Sequence, residues 1–486
     1  MVYSFPLPVW ESPRNILSRL GGKSLIHTRL PIVVLSIHLL SWAAGAGWQP
    51  AEGGSPLLTA YEDAANQLIS AALADSSAYH RLAYLTDTFG PRFSGTENLE
   101  DAIDWILEEM ERDGLENVHG EEVMVPRWVR GNEWVELIEP RQKKLDMLGL
   151  GGSVGTPPEG ITAEVVVVKS FDELTARADE AKGKIILFNV PFITYGETVR
   201  YRYGGASAAA KAGAVASLIR SVGPFSMKTP HTGGMGYQEG VPKIPHAAIT
   251  VEDAMMLQRM ADRGQRVVVR LTIEAHFDED VPSRNVVGEI VGREHPEEVV
   301  VLGGHIDSWD VGTGAMDDAG GCVAAWEAVR LMHELNLRPR RTVRVVLWTN
   351  EENGLRGGRA YRDTHESELD NHILAMESDN GVFKPLGFGF TGSDGARATV
   401  KEIAKFLESI KADSIKEGGA AADIGPLEKE GVPVMSLKVE GSRYFWYHHT
   451  WADTIDKLDP HELNLCVAAM LVMAYVVADM EEPLPR

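Results

Sequence analysis

Residues 299–320 read VVVLGGHIDSWDVGTGAMDDAG, and this stretch decides the fold class of the chain. It begins with four apolar residues, 299–302, a pattern typical of a strand that is buried on both faces of a sheet. Two glycines and His305 follow, and a glycine-rich loop then leads to Asp317 and Asp318. A helix-like run, 320–335, comes directly afterwards. The stretch therefore predicts one strand–loop–helix unit of a parallel sheet.

The same alternation continues toward the end of the chain. Further strand-like runs occupy residues 343–348, 373–376 and 434–439, with helix-like stretches between them and a long apolar run at 461–480. Alternating strands and helices favour an α/β fold with a mostly parallel central sheet flanked by helices. In such sheets, functional sites gather at the carboxyl ends of the strands.

The sequence before residue 282 shows two different residue patterns. Residues 55–124 have a helical pattern, in which apolar residues recur at three- and four-residue steps up to Met110 and Gly114 serves as a helix stop. Residues 126–281 instead contain short β-like runs at 165–168, 184–188, 216–218 and 267–271, joined by glycine- and proline-rich segments. We therefore predict an N-terminal helical part at 55–125, an inserted β-rich domain at 126–281 and a catalytic part at 282–486.

The N-terminal segment has the features of a targeting signal. Residues 30–46 form an apolar run of 17 residues that follows several basic residues and ends in Ala44-Gly45-Ala46. A small-x-small ending of this kind is typical of signal-peptidase cleavage. Residues 1–46 are therefore predicted to be a signal peptide cleaved after Ala46, which implies a secreted protein. The alternative is an uncleaved membrane anchor, although 17 residues are few for a hydrocarbon core of ~30 Å.

The composition limits the classes of partner. The 486 residues contain 44% hydrophobic and 24% charged residues, as in an ordinary globular protein, and the formal net charge is −23. This acidity argues against a nucleic-acid partner, which would require clustered lysine and arginine. The two cysteines, Cys322 and Cys466, lie in apolar helix-like stretches and are predicted to be buried free thiols, with a single bridge as the alternative.

Histidines and carboxylates recur just after the predicted strands. They are His305 and Asp307, Asp317 and Asp318, Glu351 and Glu352, Asp379, and His448 and His449. Four successive strand ends thus deliver such side chains to one edge of the sheet. Imidazole and carboxylate are ligands of Zn²⁺, and two zinc ions ~3.5–4 Å apart can share a bridging carboxylate. Such a pair needs about five protein ligands and one free carboxylate as base, which this set supplies.

Each of these residues alone has an ordinary explanation. Adjacent glutamates such as Glu351 and Glu352 are common on solvated surfaces, and an Asp pair before a helix can be a simple N-cap. A lone buried histidine is more often hydrogen-bonded than metal-bound. The recurrence at four strand ends, rather than any single motif, favours the metal site.

The order H-x-D, D-D, E-E, D, H resembles the co-catalytic zinc exopeptidases of the aminopeptidase and glutamate carboxypeptidase family. Stretches without a metal role match this family as well, among them 230–233 (PHTG), 240–245 (GVPKIP) and 249–254 (ITVEDA). The resemblance implies a zinc-exopeptidase fold with an inserted protease-associated domain, a homodimer and two zinc ions per chain. It implies the ligand set His305, Asp317, Glu352, Asp379 and His449, with Asp317 bridging both ions.

The resemblance also implies roles for residues around the metals. Glu351 would be the general base that takes a proton from a metal-activated water and returns it to the leaving amine. Asp307 would orient His305, and Asp318 would hold the bridging residue, often through a cis peptide bond between the two aspartates.

The choice between His448 and His449 as the last ligand follows from the family motif. The family's ligand is followed by Thr or Ser and, four residues on, by an acidic residue and Thr, which fits His449 alone. In some relatives a tyrosine that stabilises the oxyanion precedes the ligand. His448 stands in that place here, so oxyanion stabilisation by His448 is a hypothesis.

The resemblance implies hydrolysis of peptide bonds near a chain end, in dipeptides or short peptides. Two alternatives with the same fold are a one-zinc transferase of the glutaminyl cyclase type and a non-catalytic ectodomain resembling the transferrin receptor. The sequence leaves open which peptide terminus is recognised. A free substrate carboxylate would favour an arginine partner, for which Arg443 and Arg92 are candidates, whereas a free amine would favour an unpaired carboxylate. The loop at 230–240 is predicted to face substrate or a second subunit.

Overall fold

The computed structural model describes residues 55–486, and the predicted signal or anchor at 1–46 lies outside the described residues. The helices are α1 (Pro56–Ala74), α2 (Ser77–Phe89), α3 (Glu97–Arg112), α4 (Phe171–Ala176), α5 (Ala178–Ala181), α6 (Tyr195–Lys211), α7 (Val251–Asp262), α8 (Gly320–Glu334), α9 (Arg356–Thr364), α10 (Asp394–Ala404), α11 (Gly425–Lys429), α12 (Tyr444–Tyr447) and α13 (Pro460–Asp479). The strands are β1 (Glu116–Val125), β2 (Trp128–Val129), β3 (Glu133–Glu139), β4 (Lys143–Leu145), β5 (Met147–Gly149), β6 (Ile161–Val168), β7 (Ile185–Phe188), β8 (Ala216–Arg220), β9 (His246–Ile249), β10 (Val268–Ile273), β11 (His276–Phe277), β12 (Val281–Ile290), β13 (His295–His305), β14 (Arg341–Trp348), β15 (His372–Glu377), β16 (Pro385–Thr391), β17 (Ser414–Glu417) and β18 (Val434–Val439).

One eight-stranded sheet positions the site, with the strand order β1-β12-β14-β13-β15-β18-β16-β17. Its central strands β14, β13, β15 and β18 are mutually parallel, and they contain the four runs predicted at 299–302, 343–348, 373–376 and 434–439. Antiparallel pairings occur toward the edges, between β1, β12 and β14 and between β16 and β18. The predicted α/β class is thus confirmed, and the carboxyl ends of the four central strands meet at one edge.

The segment after α3 is a strand, where the sequence predicted helix up to residue 124. The helix ends at Arg112, and Gly114, the predicted stop, has a φ of 80°. The next segment, β1, contains three glutamates, which favour helix on local propensity. It nevertheless pairs antiparallel with β12 and buries Val123 and Val125, and this pairing and burial outweigh the local preference.

A second eight-stranded sheet lies in the inserted part of the chain, with the order β4-β3-β10-β6-β7-β8-β9-β5. All its strands fall between Glu133 and Ile273, and the predicted runs at 165–168, 184–188, 216–218 and 267–271 overlap β6, β7, β8 and β10. The chain leaves the first sheet after β1 and returns in β12, which pairs with β1. The short strands β2 and β11 pair where the chain leaves and re-enters, so one domain is inserted into the other.

Helix α13 is the central helix of the larger core. It is long and apolar enough to cross a membrane by composition, but 89% of its most apolar window is buried inside the protein, where it packs against α1 and α8. Cys466 on α13 and Cys322 on α8 are both buried and free, as predicted. The carboxylates and imidazoles of the site therefore rest on a sheet edge backed by a large apolar core.

Candidate metal centre

The predicted site residues converge on one cavity of about 940 Å³ at the carboxyl edge of the central strands. His305 is the last residue of β13, and the pair Glu351 and Glu352 follows the end of β14. Six of the predicted residues line this cavity, namely Asp317, Glu351, Glu352, Asp379, His448 and His449. His305 and Asp307 lie behind them, fully buried. The structure thus brings together the eight residues that the sequence predicted as metal ligands or as catalytic and orienting groups.

The five predicted ligands form two groups that share Asp317. On one side, His305 Nε2 lies 3.4 Å from Asp317 Oδ1 and 3.5 Å from Asp379 Oδ1. On the other side, His449 Nε2 lies 3.2 Å from Asp317 Oδ2 and 3.0 Å from Glu352 Oε2. Each oxygen of Asp317 therefore belongs to a different group, which is the arrangement of a bridging carboxylate.

These distances between ligand atoms are those expected when each of the two groups surrounds one cation. Ligands bound tetrahedrally at ~2.0–2.1 Å from zinc lie ~3.3 Å from one another. Glu352 Oε1 is also buried without a hydrogen-bond partner among the described residues. An unpartnered buried carboxylate oxygen is costly unless a cation or donor satisfies it. The donor set and its geometry therefore fit a pair of zinc ions.

Asp307 contacts both His305 and the backbone of the pair Glu351 and Glu352. Its backbone oxygen lies 3.0 Å from His305 Nδ1, which leaves Nε2 free to face the cavity. Its side-chain oxygens accept hydrogen bonds from the backbone N–H groups of Glu351, at 3.0 Å, and Glu352, at 3.3 Å. A single buried carboxylate thus positions one predicted ligand and the predicted base together.

Asp318 lies within metal-binding distance of His305 and Asp379, but its oxygens are already used. They accept hydrogen bonds from the backbone N–H groups of His305 at 3.2 Å and Gly321 at 3.1 Å. The peptide bond between Asp317 and Asp318 is cis. Gly304 permits this packing, because a Cβ there would lie 2.3 Å from Asp318 Oδ2. Asp318 therefore has a supporting position rather than that of a ligand.

The inserted domain contributes a histidine that the sequence interpretation missed. His231 Nε2 lies 2.8 Å from His448 Nδ1, and the His231 ring stacks on His449 with centroids 5.2 Å apart. His448 Nε2 in turn lies 3.3 Å from Asp317 Oδ2. The loop at 230–240 also places Gly234 in the cavity wall, so part of it faces the cavity.

His231, His448 and His449 lie close enough to be considered as a third metal group, but their geometry argues against it. The His231–His448 separation of 2.8 Å is a hydrogen-bond distance, shorter than the ~3.3 Å expected between two zinc ligands. The rings of His448 and His449 are stacked with centroids 3.6 Å apart, so their nitrogens do not converge on one point. We interpret the trio as a hydrogen-bonded stack.

The charges of the cluster are strongly coupled. Burial, joined by the carboxylates Asp379 and Glu352, holds the pKa of Glu351 well above its ordinary value. Burial would also raise the pKa of Asp317, but the surrounding imidazoles, His448 first among them, hold it well below its ordinary value. Carboxylates of such contrasting environments within one cavity are typical of a catalytic site.

Neither arginine proposed for a substrate carboxylate faces the cavity. Arg92 is fully buried and donates hydrogen bonds to four backbone oxygens, including that of Ile306 at 2.9 Å and that of Thr313 at 2.7 Å. Arg443 forms an ion pair of 2.6 Å with Glu462. Both side chains are thus committed to structural contacts, and the arginine hypothesis is wrong for both.

The comparisons with known proteins agree with this site. A model of Peptidase family M28 matches residues 285–476. Carboxypeptidase Q of Xenopus laevis is 52% identical over 432 residues, covering 88% of this chain and 92% of the relative. Human carboxypeptidase Q is 51% identical over 427 residues, covering 87% and 90%.

Solved structures give the same answer. The crystal structure of a peptidase M28 precursor from Shewanella amazonensis SB2B superimposes with a TM-score of 0.85 at 36% identity, covering 88% of this chain and 99% of that one. A zinc aminopeptidase from Bacillus subtilis shares the fold, with a TM-score of 0.64 at 22% identity over 84% of this chain and 96% of its own. The resemblance inferred from the sequence is confirmed, and the chain belongs to peptidase family M28.

Proposed function

We propose that this chain is a secreted di-zinc exopeptidase that hydrolyses dipeptides or short peptides. The observation that carries the proposal is the pair of ligand-like groups built on the two oxygens of Asp317. The activities for which the relatives are named, those of a carboxypeptidase and a zinc aminopeptidase, support the same reaction class. Secretion and a homodimer stay predictions of the sequence.

In this proposal, His305, Asp317 and Asp379 would hold one zinc ion, and Asp317, Glu352 and His449 would hold the other. When bound, the two ions would supply Lewis-acid polarisation of the scissile carbonyl and would lower the pKa of the attacking water. The one-zinc and non-catalytic alternatives are disfavoured, because Glu351 and four of the five proposed ligands line one cavity, and the fifth, His305, lies behind them next to Asp317 and Asp379.

Glu351 lines the cavity without belonging to either ligand group, so its carboxylate is available to move protons. Its backbone is held by the hydrogen bond to Asp307 Oδ1, 3.0 Å long. As general base it takes a proton from the attacking water, and as general acid it gives that proton to the leaving amine nitrogen. The two roles return Glu351 to its starting state in each turnover.

His448 is positioned to stabilise the negative charge that develops on the substrate carbonyl oxygen. Its Nε2 faces Asp317 Oδ2, a carboxylate acceptor, which favours the tautomer with the proton on Nε2. His448 Nδ1 then needs a donor, and His231 Nε2, at 2.8 Å, supplies it. His231 therefore acts as a positioning residue that keeps an N–H of His448 directed into the cavity.

His448→Ala is expected to lower kcat by roughly 10²- to 10³-fold, because one oxyanion donor is worth ~2.7–4 kcal/mol. The zinc content should stay at two ions per chain, which separates this role from that of a ligand. His231→Gln, which keeps an N–H near the position of Nε2, should retain most activity, whereas His231→Leu should not. Steady-state kinetics beside metal analysis give the answer, and an unchanged kcat in His448→Ala would refute the oxyanion role.

The proposed function itself is tested by removing and restoring the metal. The purified protein is expected to contain two zinc ions per chain and to hydrolyse dipeptides, because the site has two complete ligand groups. Dialysis against a chelator should abolish hydrolysis, and two equivalents of zinc should restore it. A folded protein that takes up no zinc would overturn the metal proposal, and a two-zinc protein without peptidase activity would overturn the reaction.

A further inference from the structure

One cation in the cavity wall has no role in the chemistry described so far. Lys438, on β18, lines the cavity beside Asp379 and Tyr444. Within residues 55–486, its ammonium group makes neither a hydrogen bond nor an ion pair with another protein group. The side chain is half-buried. A charge that has lost part of its water without gaining a partner is unfavourable, so Lys438 is poised to bind an anion.

The other cationic side chains that line the cavity either have protein partners or are exposed. Arg202 donates hydrogen bonds to the backbone oxygen of Gly234, at 3.1 Å, and to Tyr195 Oη, at 2.9 Å. Arg356 forms an ion pair of 2.6 Å with Asp280. Arg359 is exposed and donates to a backbone oxygen. Lys438 is therefore the half-buried cation of this wall that has no protein partner among the described residues.

The surroundings of Lys438 hold it in this position. Its aliphatic stem crosses Gly389 of the neighbouring strand β16, where a Cβ would lie 2.9 Å from Lys438 Cε. Burial lowers the pKa of the ammonium, while the charges of Asp379 and Glu377 act in the opposite direction. The lysine thus lies within the electrostatic field of one proposed ligand without contacting it.

The charge of the metal-loaded cavity favours an anionic substrate group. Four carboxylates line it, namely Asp317, Glu351, Glu352 and Asp379. Two divalent ions, as required by the proposed function, balance these four negative charges. Among the residues that line the cavity, the charge that remains is that of the basic side chains, of which Lys438 is the half-buried one without a protein partner.

We propose that Lys438 binds the free C-terminal carboxylate of the substrate. This inference rests on the proposed function and extends it. It narrows the proposed substrates to dipeptides and short peptides whose C-terminal carboxylate is free. Lys438 takes the carboxylate-binding role for which Arg92 and Arg443 were candidates, because the guanidinium groups of both arginines bind other protein groups. The selected terminus then distinguishes a carboxypeptidase or dipeptidase from an enzyme that requires only a free amine.

The test compares a dipeptide with its own C-terminal amide. The wild type is expected to prefer the free acid by roughly 10- to 100-fold in kcat/KM, the range for a hydrogen bond to a charged group. Lys438→Met, which keeps the length of the side chain without its charge, should reduce this preference to within about threefold, mainly through the KM of the free acid. Lys438→Arg should restore part of it.

A control and a binding measurement make the outcome decisive. Arg359→Met removes an exposed cation of the same wall and should leave the preference for the free acid as in the wild type. Calorimetry with zinc-loaded Glu351→Gln protein, with and without Lys438→Met, measures dipeptide and amide binding independently of turnover. An unchanged preference in Lys438→Met, or its loss in Arg359→Met instead, would overturn the assignment. Failure of the wild type to hydrolyse any peptide would count against the proposed function, and the calorimetry would still decide the carboxylate site.

Discussion

Glu351→Gln is expected to lower kcat by roughly 10²- to 10⁴-fold while two zinc ions remain bound. Glutamine has the size of glutamate, so the backbone hydrogen bond to Asp307 and the packing of the loop should be kept. It has no carboxylate to accept a proton from water, and this step is the role proposed for Glu351. The loss should therefore fall on kcat, with KM little changed.

The neighbouring glutamate provides a matched control for this experiment. Glu352 lies 3.0 Å from His449 Nε2 and belongs to a ligand group, so Glu352→Gln should lower the zinc content as well as the activity. Metal analysis and steady-state kinetics on both variants distinguish a base from a ligand at adjacent positions. If Glu351→Gln kept kcat within tenfold of the wild type, another group would have to be the base.

Asp317→Asn is expected to weaken both metal positions at once and to reduce hydrolysis below detection. The two carboxylate oxygens of Asp317 serve different groups, and an amide offers one oxygen and an NH₂ that cannot ligate. Losing an outer hydrogen-bond partner of a metal ligand typically costs 10–100-fold in affinity, and losing a shared ligand should cost more at each position. Titration with zinc, followed by calorimetry, measures both affinities.

Asp318→Asn is the control for that substitution. Its carboxylate accepts hydrogen bonds from backbone N–H groups and is not a proposed ligand, so this variant should still bind two ions. Its free energy of unfolding should fall, because one of two buried N–H groups loses its acceptor. Two tightly bound ions in Asp317→Asn would contradict the bridging role.

The central sheet and the side chains at its edge could be predicted because they depend on local sequence order. Each buried strand is a short apolar run, and the carboxyl ends of neighbouring parallel strands meet wherever the sheet forms. His305, Glu352 and Asp379 follow such runs directly, so their convergence needs little tertiary information. By contrast, β1 was predicted to be helical, because its pairing with β12 lies more than 150 residues away in sequence.

The contributions of the inserted domain could not be predicted in the same way. His231 meets His448 across 217 residues, and nothing in the local sequence indicates how the second sheet packs against the first. The sequence predicted that the 230–240 loop faces substrate or a second subunit, but it did not indicate which side chain of the loop would contact the site. Arg92 was misinterpreted for a similar reason, since three of the four backbone oxygens that accept its hydrogen bonds belong to the distant residues Ile306, Thr313 and Gly314.

Residues of the inserted domain and of the sheet edge together line a cavity of about 940 Å³. A space of this size suits a ligand of two or three residues. The terminus of a folded protein would have to unravel over several residues before its last peptide bond reached Glu351. An exopeptidase with the short-peptide specificity proposed above would therefore depend on endopeptidases that first cut proteins into small fragments. Its output would then follow the rate of that earlier proteolysis.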